Sequence, residues 1–230
     1  MIDAALTGVW AASRPAVFDA RWVPAAPAIT EHFFLVVSKR ADGSLEAFIR
    51  NPEHNAGAFF RTRSVTINGS RIILTAPNRD DAVGVGNADG TLTLSKIDEG
   101  SRDIRFHRAS ESDLRWFYPS AATSWTYQHP PDTGDGWRTA TLRSVGMSEA
   151  PIASLIDAVV QSRAPSLQSP YVHSIAIERH GSLVLDRYFY GFSADQPHDV
   201  RSAGKSVTTL LATSTIASRP RCSSADTQCG

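Results

Sequence analysis

The sequence predicts an α+β protein, in which an N-terminal antiparallel β-domain precedes a helix, a β-hairpin and a second helix. Three observations carry this prediction. Between residues 30 and 108, short β-branched and aromatic runs alternate with turn dipeptides at hairpin spacing. From residue 148 an apolar stripe with helical period begins, and two strand-like runs around a glycine turn follow it. A second apolar helix is expected from about residue 202.

The β-domain, expected over residues 1–110, is indicated by its turns. Asn-Gly and Asp-Gly pairs favour the positive φ angles of tight hairpin turns, and they occur at Asp42-Gly43, Asn68-Gly69 and Asp89-Gly90. Alternation of apolar and polar residues leaves one apolar face, which predicts an antiparallel sheet or a barrel-like sandwich. The predicted strands cover residues 33–37, 45–49, 63–67, 71–75, 91–94 and 104–107.

Residues 111–147 are predicted to form an irregular connector. Pro119, Pro130 and Pro131 interrupt any helical or strand period in this stretch. The stretch also carries three tryptophans, whose large apolar area indicates packing against neighbouring structure. They are Trp116, Trp125 and Trp137.

Regular structure is expected again over residues 148–217. Ser148 is a candidate N-cap for an amphipathic helix. The apolar stripe of that helix consists of Ile152, Leu155, Ile156, Val159 and Val160. A hairpin is predicted next, with strands over residues 172–179 and 183–190 joined by His180-Gly181-Ser182.

The most informative motif is Ser202-Ala203-Gly204-Lys205, at the predicted start of the last helix. Serine and lysine three residues apart lie on one helix face, so Lys205 can take the proton of the Ser202 hydroxyl. Unbonded N–H groups in a first helical turn also stabilise an alkoxide and the anionic intermediate of acyl transfer. This pattern predicts nucleophilic catalysis by Ser202. The buried face of the helix is expected to carry Val207, Leu210 and Leu211.

With these residues, the segment resembles the serine hydrolases of the class C β-lactamase and penicillin-binding-protein type. The resemblance rests on the amphipathic helix, on residues 173–191 and on residues 201–208, and it covers about a third of the chain. It implies the first part of a β-lactamase/transpeptidase-like domain, with Ser202 as the acylated nucleophile and Lys205 as its activator. The implied substrates are small esters, amides or β-lactams. The upstream β-domain is similar to an accessory domain that some of these hydrolases carry.

The later motifs of that family are missing from this sequence. The family pattern continues with Tyr-x-Asn or Ser-x-Asn and then Lys-Thr-Gly or His-Thr-Gly, yet no Tyr, His or Asn follows Ser202. Residues 218–230 lose helical periodicity and contain both cysteines, Cys222 and Cys229. We therefore expect a hydrolase interrupted by a frameshift or premature stop, inactive in this form. A genuine short tail is the alternative.

Composition excludes several other classes of function. The 23 basic and 23 acidic residues balance without basic runs, which argues against nucleic acid or an anionic membrane surface as partner. No apolar run reaches the roughly 18 residues of a membrane span, and the N-terminus does not resemble a signal peptide, so the expected location is cytoplasmic. The histidines lack metal-ligand spacing and the cysteines are too few for a structural zinc site. No cofactor or metal is expected, and the oligomeric state stays open.

Two other functions compete with the hydrolase. Gly204-Lys205-Ser206 ends like a phosphate-binding loop, but Asp199 replaces the first glycine of that motif. The polar, proline-broken residues 196–200 also do not form the buried strand that such a loop follows. The second alternative is a non-catalytic protein whose β-domain binds an apolar or cell-wall ligand, with a remnant of a hydrolase behind it.

Overall fold

The chain is mostly β in a computed structural model that describes residues 5–16, 29–53, 56–77, 80–97, 102–118, 125–162, 172–196 and 201–217. A large antiparallel sheet is followed by a small mixed sheet and a few helices, so the expected β-domain with a helical and hairpin segment behind it is confirmed at that level. The chain forms two compact units, residues 1–197 and residues 198–230. The domain boundaries drawn from the sequence stay predictions, and the tail at 218–230 with both cysteines lies outside the described residues.

The large sheet contains nine hydrogen-bonded segments, all antiparallel to their neighbours. Their order is β4-β3-β2-β1-β9-β8-β7-β6-β5. Each strand therefore pairs with the strand that follows it in sequence, except that β4 and β5 form the two ends of the order, and β9 pairs with β1. The strands are β1 (Gly8–Pro15), β2 (Thr30–Lys39), β3 (Leu45–Asn51), β4 (Ala56–Arg61), β5 (Ser64–Asn68), β6 (Arg71–Thr75), β7 (Ala82–Gly86), β8 (Leu92–Ser95) and β9 (Ile104–Arg108).

The two ends of this sheet meet through the direct connection between β4 and β5. Thr62 N–H donates to Ala47 O of β3 at 3.0 Å, and Arg63 N–H donates to Thr75 O of β6 at 2.7 Å. Neighbouring residues thus bond to β3 and to β6, which lie next to the two ends of the strand order, and β4 and β5 act as one bent strand. The result is an eight-stranded, nearly closed antiparallel barrel.

The interior of the barrel holds the main apolar core. Inward positions alternate along each strand, as period-two patterning requires. All six predicted strands are present with ends that differ by at most three residues, the largest difference being the start of β2 at Thr30, whereas β1, β4 and β7 were not predicted. The largest buried interior side chains include Trp10, Phe33, Leu35, Ile49, Leu74, Leu92, Leu94 and Phe106.

The outer face of β1 to β3 is also buried, which the sequence did not predict. Phe34 and Val36 point away from the interior and pack with Phe117 in a separate cluster. The rings of Phe34 and Phe117 lie 5.1 Å apart. Helix α1 (Glu111–Leu114), capped by Ser110, brings the chain across this face. The start of the predicted connector is therefore ordered and covers the barrel.

The small sheet has the order β10-β12-β11. Strands β11 (Ser174–Arg179) and β12 (Ser182–Tyr188) form the predicted hairpin, and β10 (Arg138–Thr139) pairs parallel to β12. Helix α2 (Glu149–Gln161) is confirmed. Its core contacts come from Ile152, Ile156 and Val159, whereas Leu155 is 43% exposed.

Trp116 joins the barrel to the small-sheet region. Its ring stacks on His32 of β2 at a centroid distance of 4.3 Å and meets the ring of Phe192 edge-on at 5.7 Å. Trp116 thus packs against neighbouring structure, as the sequence predicted. The same prediction was wrong for Trp137, which is 55% exposed. Within the described ranges, no helix has the length and apolarity needed to cross a bilayer.

Candidate active site

Ser202 and Lys205 lie where a short 3-10 turn becomes a helix. The turn covers Arg201–Ala203 and helix α3 covers Gly204–Ala217. The predicted helix is therefore present, with Ser202 just before it and Lys205 in its first turn. Both side chains are exposed, and within residues 201–217 no hydrogen bond joins Ser202 Oγ to Lys205 Nζ. An exposed hydroxyl at this place is accessible to a substrate carbonyl.

Helix α3 differs from the expectation in its apolar face. Val207 is 58% exposed and Leu210 is 68% exposed, so the predicted burial of these two side chains was wrong. The side chain of Leu211 lies outside what the structure describes. The physical reason is the small size of the second compact unit, since short chain segments bury only a limited part of their apolar surface.

Threonines add a local feature to α3. Thr208, Thr209 and Thr213 each donate a hydroxyl hydrogen bond to the carbonyl four residues earlier, at 2.8 to 3.0 Å. Such bonds leave the hydroxyls occupied by the helix itself. Among residues 202–209, the exposed hydroxyls that are not bonded to a helix carbonyl are therefore those of Ser202 and Ser206.

The hairpin that precedes the motif is built by a two-residue turn. His180 and Gly181 have φ angles of 53° and 73°, and Arg179 pairs with Ser182 across the turn. Both positive φ angles are typical of a type I′ turn, whose twist suits a hairpin. Glu178 accepts a hydrogen bond from Gly181 N–H and is exposed.

Two tyrosines at the end of the hairpin have raised pKa values. Burial raises the pKa of Tyr190, although nearby Arg50 partly opposes the shift. Burial, with Asp186 and Asp195 adding to it, also raises the pKa of Tyr188. Both phenols are therefore protonated at neutral pH.

The histidines form no metal site among the described residues. His32 is held by Glu53, whose carboxylate accepts from the backbone N–H of His32 at 2.8 Å and lies 2.6 Å from its Nδ1. His107 Nε2 lies 3.0 Å from Asp113 Oδ2. These pairs occupy the imidazoles with structural contacts. His54 and His198 lie outside the described residues.

A cavity that the sequence did not predict opens at one end of the barrel. This cavity has a volume of about 450 Å³, and its lining includes Leu6, Trp10, Ile72, Asn87, Leu92 and Arg108. A signal was present in β9, because Arg108 continues the inward-facing series of Ile104 and Phe106 at period two. An arginine at the end of an apolar inward face marks a barrel opening.

Comparison with models of protein families, with curated proteins and with solved structures finds no match for this chain. The residues themselves therefore carry the functional argument. The sequence predicts that residues 196–200 do not form the buried strand of a phosphate-binding loop. Residues 197–200 lie outside the described residues, so this stays a prediction.

Proposed function

We propose that this protein is a serine hydrolase of the class C β-lactamase and penicillin-binding-protein type, acylated on Ser202 by an ester, amide or β-lactam. The observation that supports it is the position of the Ser-x-x-Lys motif. Ser202 is exposed in the turn that leads into α3, and Lys205 lies in the first turn of that helix. In chain order an antiparallel hairpin precedes the motif, as the resemblance implies.

The chemistry follows from these two side chains. Ser202 Oγ attacks the substrate carbonyl, and the amine of Lys205 takes the hydroxyl proton as the oxygen–carbon bond forms. The proton then passes to the leaving group as its bond to the carbonyl carbon breaks, which leaves an ester on Ser202. N–H groups at the start of the helix stabilise the oxyanion, and one such donor contributes about 10²–10³-fold in rate. No residue of this sequence matches the family's later motifs, so the proposal concerns acylation.

Covalent labelling tests the proposal. The full chain is incubated with a fluorophosphonate and, separately, with a fluorescent penicillin, and intact mass and peptide mapping locate the adduct. One adduct on Ser202 is expected. Ser202→Ala should abolish it. Ser206→Ala should leave it unchanged, because Ser206 is also an exposed serine, four residues further along, in the first turn of α3.

Lys205 has its own expected effect. Lys205→Met should slow labelling of Ser202 by about 10²-fold or more, since it removes the proton acceptor. Labelling at Ser206, labelling spread over several serines, or no labelling of the folded protein would contradict the proposal. The last result would favour the non-catalytic binding protein.

A further inference from the structure

We propose that the barrel binds an amphipathic monocarboxylate, with its hydrocarbon tail in the cavity at the barrel end and its carboxylate on Arg108. The lining of this cavity contains neither Ser202 nor Lys205, and the proposal does not depend on hydrolase activity. It rests on three features of the described residues: the size of the cavity, its apolar wall, and a single cation held at its mouth.

The size and wall of the cavity fit a hydrocarbon chain. Its volume of about 450 Å³ lies within the roughly 300–1,000 Å³ typical of small-molecule sites. Leu6, Trp10, Ile72 and Leu92 line it and are buried members of the barrel core. An apolar wall offers water few hydrogen bonds, so a hydrocarbon gains by replacing water there.

Arg108 is the charged side chain in this lining. Its Nη1 donates to Thr7 O at 2.6 Å, and its guanidinium lies 4.0 Å from the centroid of a Trp10 ring. These contacts hold the group at the mouth before any ligand arrives. Among the described residues no carboxylate forms an ion pair with it. Its side chain is partly solvent-accessible, so an incoming anion can reach it.

The charge of the ligand follows from these facts. A guanidinium has five donors in a planar fork that matches the two oxygens of a carboxylate. A cationic head group would be repelled by Arg108. Arg108 would neutralise only one of the two negative charges of a phosphate dianion. The neutral Asn87 lies at the rim, and its Nδ2 donates to Thr91 and Thr93.

Isothermal titration calorimetry of the full chain tests the proposal with three ligands of one chain length, each below its micelle concentration. They are decanoate, decanol and decyltrimethylammonium. Decanoate should bind once per chain, decanol about tenfold or more weakly, and decyltrimethylammonium most weakly. The preference for decanoate over decanol should shrink at high salt, because ions screen the pair at the mouth.

Variants separate the two parts of the site. Arg108→Gln should weaken decanoate about tenfold or more, as expected for loss of a charged hydrogen bond, and leave decanol unchanged. Arg108→Lys should restore part of the affinity. Arg71→Gln is the matched control, because Arg71 is exposed on the outer side of β6 beside the inward Ile72. Ser70→Phe, at the mouth, should weaken decanoate and decanol alike.

Three results would overturn the proposal: no binding of decanoate to the folded chain, equal affinity for decanoate and decyltrimethylammonium, or an unchanged affinity in folded Arg108→Gln. Decanol binding reports whether a variant keeps its cavity, so a misfolded variant is recognised. Ser202→Ala should bind decanoate as the unaltered chain does, which distinguishes failure of this proposal from failure of the hydrolase.

Discussion

At the scale of single residues, Gly191 shows how one position meets two demands at once. Tyr190 and Gly191 have φ angles of 55° and 74°, and Phe192 N–H donates to Phe189 O at 3.0 Å. The chain therefore turns sharply after β12. A Cβ on residue 191 would lie 3.0 Å from the ring of Trp116. Glycine is needed here both for the backbone conformation and for the close approach of the indole.

Gly191→Ala should destabilise the protein by more than Gly146→Ala. Gly146 has the same φ of 74° but open space around its Cβ position. The left-handed conformation costs alanine about 1–2 kcal/mol at either site. The contact with Trp116 should add at least about 1 kcal/mol at residue 191. Urea denaturation followed by circular dichroism measures both free energies of unfolding, and equal losses would contradict the packing argument.

At the scale of elements, Thr62 closes the barrel. Ala47 N–H donates to Thr62 Oγ1 at 2.9 Å, and the same hydroxyl donates to Ala47 O at 2.9 Å. A side chain here replaces part of the backbone ladder where β4 bends into β5. All of these groups are buried. The Ala47 N–H keeps an acceptor at the bend because the residue at that point is a threonine.

Thr62→Val is expected to cost about 1–3 kcal/mol of unfolding free energy. Valine has nearly the shape of threonine but leaves the Ala47 N–H buried without its acceptor. Thr66→Val is the control, since Thr66 is exposed on β5 and valine suits a strand. Chemical denaturation of both variants, with hydrogen exchange at the Ala47 amide, provides the comparison. A loss as small as that of Thr66→Val would mean that the barrel closes without this hydroxyl.

At the scale of the whole molecule, Trp116 links the barrel to the small sheet within residues 1–197. His32 stacks on Trp116, and His173 stacks on Phe192 with centroids 4.1 Å apart. The rings thus form a continuous row from β2 to the turn after β12. Aromatic contacts contribute stability beyond that of the apolar area that they bury. We therefore expect this row to couple the unfolding of the two sheets.

Trp116→Ala should lower the free energy of unfolding by about 2–3 kcal/mol, somewhat less than for a fully buried tryptophan. It should also lower the denaturant m-value, because the two sheets then unfold less cooperatively. Trp137→Ala, at an exposed tryptophan, should change stability by about 0.5 kcal/mol or less. Urea curves followed by circular dichroism measure both effects. The same m-value in all three proteins would show that the row of rings does not couple the sheets.

The sequence by itself determined the features that depend on near neighbours. Asn68-Gly69 and Asp89-Gly90 identified hairpin turns because glycine readily adopts positive φ angles. The stripe of Ile152, Ile156 and Val159 identified α2 because helical period is local. The motif of Ser202 and Lys205 is read from the chain alone, and its catalytic role remains a prediction.

Tertiary structure alone decided what depends on residues far apart in the chain. Strand β1 contains only two residues that favour a strand, Val9 and Trp10, beside a glycine, two alanines and a proline, yet it pairs with β2 over eight positions. Barrel closure at Thr62 and the position of Arg108 at a cavity mouth follow from such long-range pairing. The exposure of Val207 and the cover over Phe34 likewise depend on which surfaces meet. Apolar patterning specifies which side chains favour burial, but only the folded chain provides the partner surface.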